Sequence, residues 1–117
     1  MKVQRHDDFV LHVCELLAPL GEVRPKRMFG GWGVYVDEVF MAIIADDTLW
    51  FKVDDGNRPA YEAAESQPFR PFPDRDTTMS YWQVPPDVMD DRHAIVAWGR
   101  EAIAAGERAR TKKRPRR

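Results

Sequence analysis

Apolar positions along the chain fall into three helical patterns separated by two stretches of strand-like alternation. Phe9, Val13, Leu16, Leu17 and Leu20 recur at the three-and-four spacing that gathers side chains on one helix face. Asp7 or Asp8 is placed to cap this helix, and Pro19 followed by Gly21 predicts its end near Ala18. From residue 23 the period changes. Segments 23–29, 32–36, 39–45 and 48–53 are short, rich in β-branched and aromatic residues, and bounded by turns. In the last of them Leu49, Phe51 and Val53 alternate with Thr48, Trp50 and Lys52, which assigns the first set to the core. The links Asp37-Glu38 and Asp46-Asp47 lack the glycine that tight hairpins favour, yet are too short for a parallel crossover, so the strands are expected to be antiparallel.

Beyond the strands, Asn57 is placed to cap a short helix over 58–65, with Pro59 in its first turn. Pro68, Pro71 and Pro73 force an irregular or edge passage in which 69–72 is a candidate strand. Residues 79–84 form the last strand candidate, broken by Pro85-Pro86-Asp87. A closing helix over about 90–108 carries Ile95, Trp98, Ala102 and Ile103 as its stripe, with Gly99 permitting close approach to a neighbour. The order is helix, three or four strands, helix, two strands, helix. It predicts an α+β domain, two layers deep, whose antiparallel sheet of about five strands carries helices packed on it.

One stretch does not fit simple alternation. Arg27-Met28-Phe29-Gly30-Gly31-Trp32-Gly33-Val34-Tyr35 puts three glycines among large aromatics where strands should meet. Glycine there permits φ > 0 or close backbone approach, which predicts a bend. The spacing matches neither a dinucleotide nor a phosphate-loop fingerprint.

Composition narrows the class. At 117 residues and 44% apolar content the chain predicts one globular domain with its own core. The longest apolar run, 39–45, is too short to span a bilayer, and the first eight residues turn polar where a signal peptide needs an apolar stretch. A single cysteine, Cys14, excludes an internal disulfide and fits a reducing compartment, so a cytoplasmic location is expected. The net charge of −1 hides an asymmetry: residues 108–117 hold seven bases and no acid, leaving 11 bases against 19 acids, a balance of −8, over 1–107. The domain is therefore expected over 1–107, followed by a basic, disordered tail with no apolar residue except Ala109.

Against this frame the glycine stretch resembles the signature of the TfoX/Sxy family, in its N-terminal domain. Phe40-Met41-Ala42 with Leu49-Trp50-Phe51-Lys52-Val53-Asp54 resembles the family hairpin. Asn57-Arg58 with Tyr61-Glu62-Ala63-Ala64 resembles its middle helix, Met79-Ser80-Tyr81-Trp82-Gln83-Val84-Pro85 its final strand, and the segment from Trp98 to Ala102 its closing helix. The similarity runs over roughly residues 7–107 in order. It implies a fold like that of secretion chaperones and a link to bacterial natural competence. Longer members, which carry a second helical domain, are positive regulators of DNA-uptake genes working with the cyclic-AMP receptor protein. On this resemblance the chain is expected to correspond to the stand-alone short form.

Little in the sequence points to enzyme chemistry, and neither a cofactor nor a metal is expected. His6, His12 and His93 lack zinc spacing, Ser66 and Ser80 lack a nucleophile elbow, and Cys14 stands beside an apolar stripe as a small buried thiol. The pairs Asp7-Asp8, Asp46-Asp47, Asp54-Asp55 and Asp90-Asp91 fall at caps and turns, where aspartate satisfies free backbone N–H groups. Arg24, Lys26, Arg27 and Lys52, near the aromatic Trp32 and Trp50, form a candidate interaction surface. The bland alternative is a solvated sheet face paired with acids. The tail bases Arg108, Arg110, Lys112, Lys113, Arg114, Arg116 and Arg117 are a candidate nucleic-acid contact, or a solvated extension folding back on the acidic body. The leading expectation is a non-enzymatic domain, monomer or homodimer, working through a protein partner in a regulatory setting. The competing one is a nucleic-acid-binding accessory protein using the tail.

Overall fold

The computed structural model describes residues 5–28, 30–70 and 80–113, with side chains described for 8–28, 30–70 and 80–111. Phe29, the segment 71–79 and the last four residues lie outside that set, and with them the expected strand positions Phe72 and Met79 and the bases Arg114, Arg116 and Arg117.

Five strands form one antiparallel sheet in the order of the chain: β1 (Val23–Met28), β2 (Gly31–Val36), β3 (Val39–Ala45), β4 (Thr48–Lys52) and β5 (Tyr81–Gln83). The expected α+β class and antiparallel pairing hold. Both two-residue hairpin links are made without glycine: Asp37, Glu38, Asp46 and Asp47 all take left-handed φ, between 48° and 71°. Aspartate tolerates that region better than most residues. Asp37 is further anchored, since its Oδ1 accepts the Glu22 N–H at 2.9 Å and its own N–H donates to the Glu22 carbonyl at 2.9 Å. This ties the start of β1 to the β2–β3 turn.

Helices cover one face of the sheet. In α1 (Arg5–Leu17), Val10, Val13, Leu16 and Leu17 are buried, with Phe9 and Leu20 packed beside them. The helix begins before Asp7 and Asp8, so these residues lie within it and do not cap it. A 3-10 turn (Ala18–Leu20) follows, as the proline at its start requires. In β4, Leu49 and Phe51 are buried as the alternation demands, and Val53 follows them into the core. The short α2 (Arg58–Ala63) buries Tyr61.

Asn57 precedes α2 but makes no side-chain cap, because its backbone is already helical (φ −118°, ψ 0°). Its buried amide instead accepts the Asp54 N–H at 2.8 Å through Oδ1 and donates to the Lys52 carbonyl at 3.1 Å through Nδ2. The residue thus clamps the loop that leaves β4.

Pro85-Pro86-Asp87 breaks the last strand as expected, but the chain then turns directly into α3 (Pro86–Met89). Proline is compatible with a first helical turn, where its missing N–H has no partner to lose. Asp91 caps the final helix, α4 (Arg92–Lys113): its Oδ1 accepts N–H groups from His93 at 2.9 Å and Ala94 at 3.0 Å, which hold its carboxyl below the usual aspartate range. Ile95, Ala102 and Ala105 are fully buried along α4, and Gly99 lies against Leu20, Leu17 and Phe51, where a methyl group would collide.

The closing helix runs past the expected stop near 108 and reaches Lys113. The bases there cannot nucleate a helix alone, but extending an existing one adds a hydrogen bond per residue at small entropic cost. Alanine, arginine and lysine are also good helix formers.

The glycine stretch makes the β1–β2 hairpin. Gly30 takes φ +78°, the left-handed conformation that turns the chain. Gly31 opens β2 so close to β3 that a methyl group on it would sit under 3.0 Å from the Ile44 carbonyl oxygen. Only glycine permits that approach. A register shift in the β2–β3 pairing then leaves Met41 as an extra residue between the Tyr35–Phe40 and Val34–Ala42 pairs. Met41 and Ala42 are both buried, while Phe40 returns to the opposite face.

Candidate functional site: the helix-free face of the sheet

Residues paired across neighbouring strands share a face, so the register sorts every strand position. Trp32, Ile44 and Leu49 form one row toward the helices, and Val34, Ala42, Phe51 and Trp82 form another. The opposite face carries Arg24, Lys26 and Met28 from β1, Gly31, Gly33 and Tyr35 from β2, Phe40, Ile43 and Ala45 from β3, Thr48, Trp50 and Lys52 from β4, and Tyr81 and Gln83 from β5. None of these outward positions is acidic.

The expected patch is therefore divided. Arg24, Lys26, Trp50 and Lys52 share the outer face. Arg27 and Trp32 lie on the helix side, where the Arg27 guanidinium stands 5.2 Å over the Trp32 ring. Trp32 and Trp50, both expected beside the patch, fall on opposite faces because the register sets Trp50 opposite Ile43 and Gly33 while Trp32 lines up with Ile44 and Leu49. Lys52 is also three strand spacings from β1, about 14 Å, so it and the β1 bases bracket the face from two sides.

Between these cations runs a connected row of aromatic rings; alternation places Tyr35 and Tyr81 on this face, and Phe40 joins them only once the bulge at Met41 is counted. Tyr35 stacks on Phe40 with centroids 5.0 Å apart and planes at 20°. Phe40 tilts against Tyr81 at 5.7 Å, and Lys52 Nζ lies 5.1 Å over the Tyr81 ring while donating to Ser80 Oγ at 2.7 Å. Trp50 meets Phe69 edge-on at 4.9 Å. Phe69 arrives because residues 67–69 pair with β5: Phe69 N–H donates to the Tyr81 carbonyl at 2.7 Å and Gln83 N–H to the Gln67 carbonyl at 3.0 Å. The bridge beside β5 is made by Pro68 with Trp82, one residue before the expected 69–72 edge strand; Phe69 and Arg70 form no strand, and 71–72 lie outside the described residues.

Electrostatically the face is neutral in its rings and positive at its rim. Burial, with Tyr35 nearby, pushes the Tyr81 phenol up to about 12, so it stays protonated at neutral pH. Arg24 and Lys26 are exposed on the sheet's β1 edge, with Pro25 between them. A proline and bases are devices that discourage edge-to-edge pairing with another strand.

With this glycine hairpin, meander sheet and closing helix established, the match to a family model is decisive: the model of the TfoX N-terminal domain fits residues 15–106. The chain belongs to the TfoX N-terminal domain family. A comparison with curated proteins returned no match. Within the TfoX N-terminal match lie all the outer-face aromatics and the two outward β1 bases, Arg24 and Lys26. Among the described residues no three metal-ligating side chains gather, and no helix is long and apolar enough to cross a membrane.

The tail candidates separate from this surface. Arg108, expected as the first tail base, lies on α4 and forks onto Asp54, donating from Nε to Oδ2 at 2.6 Å and from Nη2 to Oδ1 at 2.8 Å. The guanidinium holds the Asp54 carboxyl down at about 2, helped by the Gly56 and Asn57 backbone N–H groups. Arg110 is exposed on α4, and the side chains of Lys112 and Lys113 lie outside the described set.

Proposed function

We propose that this TfoX N-terminal domain is a non-enzymatic regulatory module that binds a protein partner through the helix-free face of its sheet. The observation that carries this reading is the row of aromatic rings on that face, bracketed by Arg24, Lys26 and Lys52 with no carboxylate at an outward strand position. Aromatic surface with a polar rim is the composition of interface cores. The cations favour a partner surface with acidic residues. Family membership supports a setting in the control of competence and DNA-uptake genes, with a transcription regulator such as the cyclic-AMP receptor protein as the partner.

The same face suits a nucleic acid less well. Base stacking needs an open ring face. Here Tyr35 and Phe40 occupy each other's faces, Lys52 occupies that of Tyr81, and Phe69 meets Trp50. The tail reading also loses Arg108 to Asp54.

The test is co-purification from the native host with three baits: the intact domain, Arg24→Glu with Lys26→Glu, and a deletion of 109–117. A partner held by the intact and truncated baits but lost on charge reversal supports the proposal. Retention after reversal overturns it. Nucleic acid shifted by the intact chain at low salt, and released by the deletion, would favour the alternative.

A further inference from the structure

A sheet receives a partner either along an edge or on a face. Pro25, in the middle of β1, removes a backbone donor from one edge, and Arg24 and Lys26 beside it charge that edge. The other edge is engaged by residues 67–69, through Phe69 N–H on the Tyr81 carbonyl and Gln83 N–H on the Gln67 carbonyl. An added strand therefore meets a proline-interrupted edge on one side and an occupied one on the other. On the face, a docking element must satisfy its own backbone hydrogen bonds, which a lone strand does not do and an α-helix does. Helices already cover the opposite face, so a docked helix would complete a three-layer arrangement.

The register lays out the receiving surface in two rows: Arg24, Tyr35 and Phe40, then Lys26, Gly33 and Ile43. Tyr35, Phe40 and Ile43 are half-buried, and the ends of Met28 and Phe40 lie where Gly33 would carry a side chain. The floor over β2 and β3 is thus apolar, with exposed cations along its β1 side. Among the described residues neither Arg24 nor Lys26 has an ion-pair partner. Two positions apart on one strand face, they are separated by about 7 Å. The rise between positions i and i+4 of a helix is close to that, about 6 Å. The seven residues of β3 extend about 24 Å, the length of about 16 helical residues.

We propose that the element docking on this face is an amphipathic α-helix with one acidic flank, a proposal that rests on the helix-free face being the partner surface. Its apolar stripe lies over Tyr35, Phe40 and Ile43, and two carboxylates four positions apart reach Arg24 and Lys26.

The test uses a synthetic helical peptide of about 16 residues. It carries leucines at three-and-four spacing, two glutamates four positions apart on one flank, and alanine and glutamine elsewhere. Fluorescence anisotropy with the intact chain gives affinity, and NMR shifts give the site. The peptide binds saturably with shifts at Arg24, Lys26, Tyr35, Phe40 and Ile43, and an order-scrambled peptide binds at least about tenfold more weakly. Arg24→Glu with Lys26→Glu weakens the helical peptide by about fivefold, and a version with lysines for the glutamates regains that affinity on the reversed domain. No saturation below about 1 mM overturns the proposal, as does equal binding of the scrambled peptide or no recovery by the charge swap. Failure of the helical probe, with the native partner still released by the same reversal, leaves the face as an interface and overturns the helix alone. A native partner indifferent to the reversal, with the probe still bound, overturns the choice of that partner's docking face while supporting a helix site.

Discussion

Substituting alanine at the three glycines of the hairpin separates three physical reasons for glycine. At Gly31 the added methyl meets backbone: the Ile44 carbonyl oxygen would be under 3.0 Å away, against the 3.4–4 Å of ordinary contact. Strands β2 and β3 would have to part by about 1 Å at that point, and neither has a flexible end to yield. Overpacking of this kind costs up to about 3 kcal/mol. For a domain of this size that lowers the melting temperature by about 12 °C. At Gly30 nothing lies within 4 Å, so Gly30→Ala costs only the left-handed backbone, about 1 kcal/mol. At Gly33 the methyl meets Met28 Cε at 2.6 Å and Phe40 Cε1 at 3.0 Å. The thioether swings aside, which holds the cost near 1 kcal/mol. Urea unfolding of the three variants at neutral pH gives the ranking directly. The expected order puts Gly31→Ala well below the other two. A Gly31→Ala protein within about 0.5 kcal/mol of wild type would refute the close-approach argument.

Two further outcomes follow from single contacts. Asp54→Asn removes the acceptor for the Arg108 fork. Because Arg108 is half exposed, solvent screens the pair, and the loss is about 1 kcal/mol at neutral pH. The Asp54 pKa is depressed in the folded state, so the wild-type advantage is full above the ordinary 3.8 and disappears as pH falls toward about 2. Stability curves of both proteins across that window should converge, and a gap independent of pH would show that the charge is not responsible. Tyr61→Phe deletes a buried hydroxyl that has no partner, so it should be neutral or stabilising by up to about 1 kcal/mol in thermal unfolding. A clear loss of stability would mean that the hydroxyl is satisfied in the native protein.

Much of the architecture was legible in residue periodicity. The spacing of Val13, Leu16 and Leu17 and the alternation of Leu49, Phe51 and Val53 each named the buried face correctly, because burial imposes the period of the element it acts on. Departures came where local signals compete with tertiary ones. Asn57 has the chemistry of a cap but is drawn into the loop by Asp54 and Lys52. The basic run after 108 reads as a tail, yet the helix before it propagates into it and Asp54 captures its first guanidinium. The candidate surface was half visible. Arg24, Lys26 and Lys52 were found by charge, whereas Trp32 was grouped with Trp50 by residue type although the strand register sends them to opposite faces. Tyr35 and Tyr81 escaped notice because charge, not alternation, selected the surface, and Phe40 because the bulge at Met41 shifts the alternation by one residue midway along β3.

The central claim is that the helix-free sheet face is where this TfoX N-terminal domain meets its protein partner. NMR shift mapping of the domain with the co-purified partner tests it most directly. The account predicts changes concentrated at Arg24, Lys26, Tyr35, Phe40, Trp50 and Lys52, with the buried face of α1 undisturbed. Changes confined to α2 and α4, with those sheet residues unmoved, would contradict it.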